Sequence, residues 1–289
     1  MNILTFDIEE WWAYERDGRG ASKDYLPRLS RYLDMTLDLL DARGCKATFF
    51  CLGAMADSFP EPIKRIAQRG HHIGCHSYSH KFFSNAAYKE VEKDTRRAVG
   101  VLEDTVGKKV TAYRAPAFSL TTNNAWMVEI LVSLGIEFDS SIFPAKRSYG
   151  GIDAFASKGP CVLNYKGTSL KEFPISTARI AGRDIAYAGG GYFRMLPYPM
   201  IRHIMANNDY VMTYFHLMDF DKEQQRRFRS FEGENACARY FKNYYGLRGA
   251  FDKFTRFVDD FDFVSLEEAG PMIDWVKVPA IEMGTTNLH

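Results

Sequence analysis

Residues 46–80 read KATFFCLGAMADSFPEPIKRIAQRGHHIGCHSYSH, and the succession of periods within them sets the fold class. Lys46–Leu52 is a short apolar run rich in β-formers, the pattern of a buried strand. A helix follows from about Pro60, a residue suited to a first helical turn, to Arg69, with Gly70 as its stop signal. His72–Cys75 then reads as a second strand. Strand, helix and strand in so short a span form a βαβ unit, with parallel strands and a right-handed crossover.

The same alternation extends in both directions. Ile3–Phe6 is a strand, and residues 27–43 carry Leu29, Leu33, Leu37 and Leu40 at helical spacing before Gly44. Downstream, the pattern predicts a helix over about 84–106, a strand at Val110–Tyr113, a helix at Thr122–Leu134 capped by Thr121 or Thr122, and a strand at Ile136–Asp139. Residues 145–200 are punctuated by Gly and Pro and form an irregular insertion, with strand candidates at Leu170–Ile175 and Ile185–Tyr187. A helix near 198–207, a strand at Tyr210–Phe215, a polar insertion over 219–243, a helix near 247–260 and a strand at Phe263–Leu266 complete the chain. No repeat or linker divides it, so a single domain over 1–289 is expected. At this length the alternation predicts an α/β fold, an irregular (β/α) barrel with fewer regular strands than a full eight-stranded TIM barrel. Asp7, His76, Arg114, Asp139 and His216 all fall at or just past a strand's C-terminal end, where barrels collect their chemistry.

Composition narrows the function classes. Apolar residues are 46% and charged residues 25% of the 289, as in a globular protein. With 37 basic against 36 acidic residues, scattered apart from Arg226, Arg227 and Arg229, no nucleic-acid or anionic-membrane partner is implied. No stretch approaches the ~20 apolar residues of a transmembrane helix. The N-terminal residues lack a basic n-region and an apolar segment long enough for export, and the five cysteines, Cys45, Cys51, Cys75, Cys161 and Cys237, show no CxxC pairing. Reduced thiols and a cytoplasmic location are the expectation.

Four clusters can carry chemistry. On the first strand, period-two alternation puts Ile3, Thr5, Asp7 and Glu9 on one side and Leu4, Phe6 and Ile8 on the other. Two carboxylates facing one space repel unless one is neutral, paired or bound to a cation. In the second cluster, His72 and His76 lie along a strand, ~13 Å apart, and cannot share a metal. His76 and His80 straddle the strand end, where a turn can bring both imidazoles to one ion; imidazole with carboxylate is a common zinc ligand set. In Tyr113-Arg114-Ala115-Pro116-Ala117-Phe118, Arg114 offers a planar fork able to hold a carboxylate in fixed orientation, or an ordinary rim salt bridge. The fourth is His216, closing the apolar strand Tyr214-Phe215, as a structural or a catalytic imidazole.

In order and spacing these segments resemble the polysaccharide deacetylase family, which includes chitin-oligosaccharide and peptidoglycan deacetylases. The likeness runs from Thr5-Phe6-Asp7 through the Gly70–His80 segment and the Arg114 motif to His216. Asp139-Ser140-Ser141-Ile142-Phe143-Pro144 and Gly189-Gly190-Gly191-Tyr192-Phe193-Arg194 look more like the subgroup associated with bacterial exopolysaccharide and surface-glycan biosynthesis. The resemblance implies metal-dependent hydrolysis of an N-acyl group on an amino sugar or glycan precursor. Asp7 matches the general base, Arg114 the residue that orients it, His76 and His80 metal ligands, and His216 the general acid. The family's usual second acid directly after the base is replaced by Ile8, which cannot bind metal, and alternation makes Glu9 the natural substitute. The Arg114 motif also lacks its usual glycine, and Leu217-Met218-Asp219 replaces the more typical Pro-Trp-Glu.

One divalent metal is therefore expected, zinc by default, with cobalt, nickel or manganese also compatible with the ligand types. Trp11, Trp12 and Tyr14 could stack on sugar rings or pack on the barrel rim, and Asp139 and Tyr192 fall in segments that could line the substrate. Gly189-Gly190-Gly191 reads as a tight turn or a flexible substrate loop. On the same fold, relatives deformylate lipid-linked amino sugars or open cyclic ureides and imides. The alternative of another class is a catalytically silent glycan-binding barrel, motivated by the missing second acid.

Overall fold

The computed structural model of the protein describes residues 1–9, 22–83, 86–147, 150–224, 226, 228 and 235–284. Its first half is built from β1 (Asn2–Ile3), β2 (Thr5–Ile8), α1 (Ser22–Ala42), β3 (Thr48–Cys51), α2 (Gly53–Ser58), α3 (Pro60–Gln68), β4 (His72–Cys75), α4 (Tyr88–Val106), β5 (Ala112–Tyr113), α5 (Met127–Ser133) and β6 (Phe138–Asp139). The second half adds the hairpin β7 (Cys161–Tyr165) and β8 (Thr168–Glu172), a small hairpin β9 (Ala178–Ile180) and β10 (Arg183–Ile185), then α6 (Gly190–Met195), α7 (Tyr198–Ala206) and β11 (Val211–Met212). Helices α8 (Ala236–Tyr244), α9 (Ala250–Asp260) and α10 (Leu266–Ala269) lead to β12 (Ala280–Glu282).

Eight strands form one sheet in the order β12-β7-β8-β6-β5-β4-β3-β2, parallel throughout except for the β7–β8 hairpin. The sheet curls into a ring. Phe6 bridges to Phe215, β1 pairs with β11, and the Ser176 amide reaches the Met212 carbonyl at 3.4 Å. This is the expected irregular barrel, closed by short ladders and single bridges in place of long strands.

The alternation read in the first strand fixes what faces where. Leu4, Phe6 and Ile8 point outward into the helical layer, where Phe6 stacks on Phe49 and meets the edge of Phe254 from α9. Ile3, Phe50, Ala112, Phe138, Phe173 and Met212 fill the barrel's interior below the polar residues. Burial of this apolar surface is the main force holding the layers together.

Several elements differ from the sequence pattern for identifiable reasons. Phe263–Leu266 is not a strand: Val264 makes one bridge to Ile3, and Ser265 with Glu268 then builds a capping box that starts α10. The helix expected at Thr122–Leu134 is split, with Thr121 and Asn124 capping a short 3₁₀ turn before α5. Between Gly and Pro signals, residues 145–200 hide the β7–β8 hairpin, turned by Lys166 and Gly167, both at positive φ (48° and 81°). The polar insertion at 219–243 contains α8. Gly189-Gly190-Gly191 is neither an isolated tight turn nor a flexible substrate loop, because it opens α6 in close contact with two other backbones. A Cβ at Gly189 would collide with the Tyr214 carbonyl, and one at Gly191 with the Lys242 carbonyl at 2.5 Å.

Because the carbonyl at Gly189 belongs to the strand that delivers His216, Gly189→Ala is expected to cost about 1–3 kcal/mol as an overpacked contact. Urea unfolding would measure this as a lower midpoint at unchanged slope.

Candidate active site

The site lies just past the C-terminal ends of β2, β4, β5 and the strand segment at 214–215. Asp7 points into the barrel from β2, and Glu9 follows it by one pleat. His76 directly follows β4, and the chain then turns through Ser77 and His80, both at positive φ (68° and 54°). The Ser77 hydroxyl accepts the His80 amide at 3.0 Å, and Asp94 of α4 accepts the Tyr78 amide at 2.8 Å. The turn brings the His76 and His80 rings to 5.2 Å between centroids. His72 stays on the strand, with Nδ1 at 3.1 Å from Thr48 Oγ1, and burial lowers its pKa to about 4.

His76 Nδ1 donates to the Arg114 carbonyl oxygen at 2.8 Å, which fixes the tautomer and leaves Nε2 as a lone-pair donor. That Nε2 is 3.2 Å from Glu9 Oε2, and His80 Nε2 contacts the same oxygen. One donor atom from each of Glu9, His76 and His80 lies within 4.8 Å of the others. Burial lowers the His80 pKa, against the opposing pull of Glu9, and favours the neutral, ligating form. Burial alone would raise the Glu9 carboxyl, but the imidazoles of His80, His216 and His76 gathered on it hold it well below its usual range. Two imidazoles and one carboxylate converging on one point fit a single divalent cation. Ile8 packs outward with 1% exposure and has no part in the cluster.

Arg114 has no exposed surface. Its Nη1 donates to Asp7 Oδ1 at 2.7 Å and Thr5 Oγ1 at 2.9 Å, Nη2 to Ser140 Oγ at 2.9 Å, and Nε to the Ser140 carbonyl at 3.2 Å. Its guanidinium carbon also sits 4.2 Å from the Phe50 ring centroid. Asp7 is thereby held through one oxygen, and Oδ2 faces the mouth 4.0 Å from His216 Nε2.

His216 Nε2 is 3.4 Å from Glu9 Oε1, and its Nδ1 is 3.4 Å from Asp219 Oδ2. Burial opposes protonation of His216, yet the Asp219 and Glu9 carboxylates outweigh it and raise its pKa well above 6.5. Asp219 is in turn held by buried Arg194, whose Nη2 also donates to the carbonyls of Lys242 and Asn243 at 2.8 and 3.0 Å. Sequence reasoning passed over Asp219, seeing only a departure from a motif, and gave Arg194 no role. The signal for Asp219 was its i, i+3 spacing from His216 after an apolar strand; Arg194, 25 residues away, had none.

The remaining expected residues divide. Tyr192 is half-buried, with Lys242 Nζ 5.1 Å from its ring centroid. Asp139 has no exposed surface and its Oδ1 accepts Ser141 Oγ at 2.6 Å, so it stands behind Arg114 and not at a substrate surface. Trp11, Trp12 and Tyr14 lie outside the described residues. No helix among the described residues is long and apolar enough to cross a membrane.

Residues 3–138 match the polysaccharide deacetylase family model, and residues 140–270 match a domain of unknown function, DUF3473. The likeness to the polysaccharide deacetylase family thus rests on the first of these segments, somewhat under half of the chain. It is 35% identical over 111 residues to a peptidoglycan-N-acetylglucosamine deacetylase of Bacillus cereus, covering 38% of each chain. It is 35% identical over 98 residues to a peptidoglycan deacetylase of Helicobacter pylori, covering 33% of this chain and 32% of that one. The chain thus spans about a third of the length of these curated relatives. Among solved structures, a candidate polysaccharide deacetylase from Mycobacterium smegmatis superposes with a TM-score of 0.66 at 20% identity, covering 99% of this chain and 93% of that one. A CE4 family pseudoenzyme from Bacillus anthracis superposes with a TM-score of 0.50 at 12% identity, over 97% and 66%. Both likenesses show the fold.

With its pKa raised in the folded state, His216 contributes stability that is fully present below the ordinary imidazole value of 6.5. That contribution is lost as pH rises through the folded-state value. In the metal-free protein, NMR titration of His216 is expected to give a midpoint above 6.5. Asp219→Asn removes one of the two supporting carboxylates and should move that midpoint down.

Proposed function

We propose that the protein is a metal-dependent carbohydrate N-deacetylase, hydrolysing the amide of an N-acetylated amino sugar or glycan precursor. The observation that carries this reading is the convergence of three units at one end of the barrel: the Glu9–His76–His80 cluster, the Asp7–Arg114 pair and the His216–Asp219 pair. When bound, a divalent cation, zinc by its ligand types, supplies Lewis-acid chemistry, polarising an acyl oxygen and acidifying water. Glu9, His76 and His80 would hold it.

The protein's own residues divide the proton work. Asp7 Oδ2, left open while Arg114 engages Oδ1, accepts a proton from the attacking water. Arg114 keeps that carboxylate aimed. His216 Nε2 donates a proton to the departing nitrogen, while Asp219 at Nδ1 supports the charged ring and fixes its orientation. A base and an acid at one mouth are what amide cleavage at neutral pH requires, since the amine is a poor leaving group until protonated. The Bacillus cereus relative is named for peptidoglycan N-acetylglucosamine and the Helicobacter pylori one for peptidoglycan, which favours an N-acetylhexosamine unit as the substrate class.

The reading is tested by metal content from plasma mass spectrometry together with release of acetate from N-acetylated oligosaccharides. About one divalent ion per chain is expected in the wild type, lost in His76→Ala and Glu9→Ala. Asp7→Asn should keep the metal yet slow turnover by roughly 10²–10⁴-fold. A wild type that takes up no ion after incubation with zinc would favour the silent glycan-binding barrel. Release of formate, or opening of a cyclic imide in place of acetate release, would keep the site and change the amide.

A further inference from the structure

Behind Arg114 lies a second pair of acids that the proposed reaction does not use. Asp139 on β6 and Glu172 on β8 are Cα partners in adjacent parallel strands, and neither has any exposed surface. Asp139 Oδ1 accepts the Ser141 hydroxyl at 2.6 Å, and Glu172 Oε1 accepts the Ile142 amide at 3.0 Å. The other oxygens, Asp139 Oδ2 and Glu172 Oε2, have no further hydrogen-bond partner among the described residues, and the two carboxyls face each other.

Among the described residues, the surroundings supply no compensating charge. The titratable groups facing the pair are Cys161 from β7, Tyr113 from β5 and Tyr210 beside β11, and burial raises all three toward the neutral form. Lys171, next to Glu172, is directed to the rings of Phe138 and Trp275. The Arg114 guanidinium is committed to Asp7, Thr5 and Ser140. Two facing carboxylates in such a place cannot both ionise, whereas one proton between them satisfies both orphan oxygens and leaves a single delocalised charge.

We infer that Asp139 and Glu172 share one proton at neutral pH and act as positioning residues for Arg114, through the turn at Ser140 and Ser141. The turn is the mechanical link. Ser140 takes Nε and Nη2 of Arg114 through its carbonyl and hydroxyl, and the Ser141 hydroxyl accepts the Ala115 amide at 2.8 Å while donating to Asp139. Glu172 holds the next amide of the same turn. Losing the shared proton would drive the carboxyls apart and release the turn, and with it the aim of Asp7. The effect on catalysis rests on the deacetylase reading; the shared proton and the hold on Arg114 do not.

The test compares wild type with Glu172→Gln, whose amide can donate as a protonated acid would, and with Glu172→Ala, which cannot. Infrared spectra at neutral pH should show the C=O stretch of a protonated carboxylic acid in the wild type, absent from Glu172→Gln. By NMR, the Arg114 Nε–H should exchange slowly in wild type and Glu172→Gln and fast in Glu172→Ala. On an N-acetylated oligosaccharide, Glu172→Ala should lower kcat by about 10²-fold, as for a misplacement on the order of 1 Å, with KM and bound metal unchanged and Glu172→Gln near the wild type. As pH rises through the folded-state range, Glu172→Gln should become progressively more stable than the wild type, since the raised carboxyls bind protons that the unfolded chain does not. Absence of the infrared band overturns the inference, as does Arg114 exchange in Glu172→Gln as fast as in Glu172→Ala. If Glu172→Ala fails to fold, the band and the exchange rate in wild type and Glu172→Gln decide alone. A wild type inactive on every acylated sugar would remove the functional reading while these two measurements still judge this one.

Discussion

Arg114 carries a permanent charge with no exposed surface, and the mouth of the barrel is arranged around neutralising it. A buried guanidinium is tolerated only when its donors are met, and removing one partner of such a pair typically costs about 3–5 kcal/mol. Here the partners come from β2 and from the turn after β6, so the same bonds that satisfy the charge also set the spacing across the ring. The main chain of Arg114 has its own part in the site. Its amide donates to the Cys75 carbonyl and its carbonyl accepts His76 Nδ1–H. One residue therefore orients the carboxylate and selects which nitrogen of His76 is left to coordinate.

The acid side is built from other materials. Asp7, Glu9, His76, His80 and Arg114 all lie within the segment that matches the deacetylase family model, whereas His216, Asp219 and Arg194 lie in the segment that matches the domain of unknown function. The two meet where His216 Nε2 approaches Asp7 Oδ2 and Glu9 Oε1. Arg194 ties Asp219 to the carbonyls at the end of α8, so that helix is structurally coupled to the orientation of the acid. Since β6, at the boundary between the segments, pairs with β5 of the first and β8 of the second, sheet and site are continuous across it.

Much of this was legible in the sequence, for a definite reason. Strands of period two in a closed ring place polar residues at their ends in one space, so Asp7, His76, Arg114 and His216 could be found from alternation and order alone. The His76–His80 turn followed from strand geometry, which kept His72 out. What stayed hidden depends on side chains acting on one another across the fold. Asp139 looked like a substrate residue because its strand end was read alone: the candidate strand at Leu170–Ile175 contained Glu172, but nothing in the pattern showed that it pairs with β6. Asp219 looked like a loss because it was compared with a motif and not with His216 three residues before it. The expected strand at Leu170–Ile175 overlaps β8, whereas β7 and the turn that joins them were missed because a Lys-Gly turn is a weaker signal than Asn-Gly.

That the proposed carboxylate ligand is Glu9, two residues after the proposed base Asp7, and not residue 8 follows from strand pairing. Ile8 is still within the β2–β3 ladder, opposite Cys51, and its carbonyl accepts the Leu52 amide at 3.4 Å. A residue held in that ladder must alternate with Asp7, so its side chain points to the helical layer, and Ile8 is the apolar residue that layer demands. Only at Glu9, where the ladder has ended, does the pleat return to the inside, with His76 and His80 in reach. An acid at position 8 could serve the cluster only if the strand broke one residue earlier. In this strand the register therefore gives the inward position to Glu9 and the outward one to Ile8.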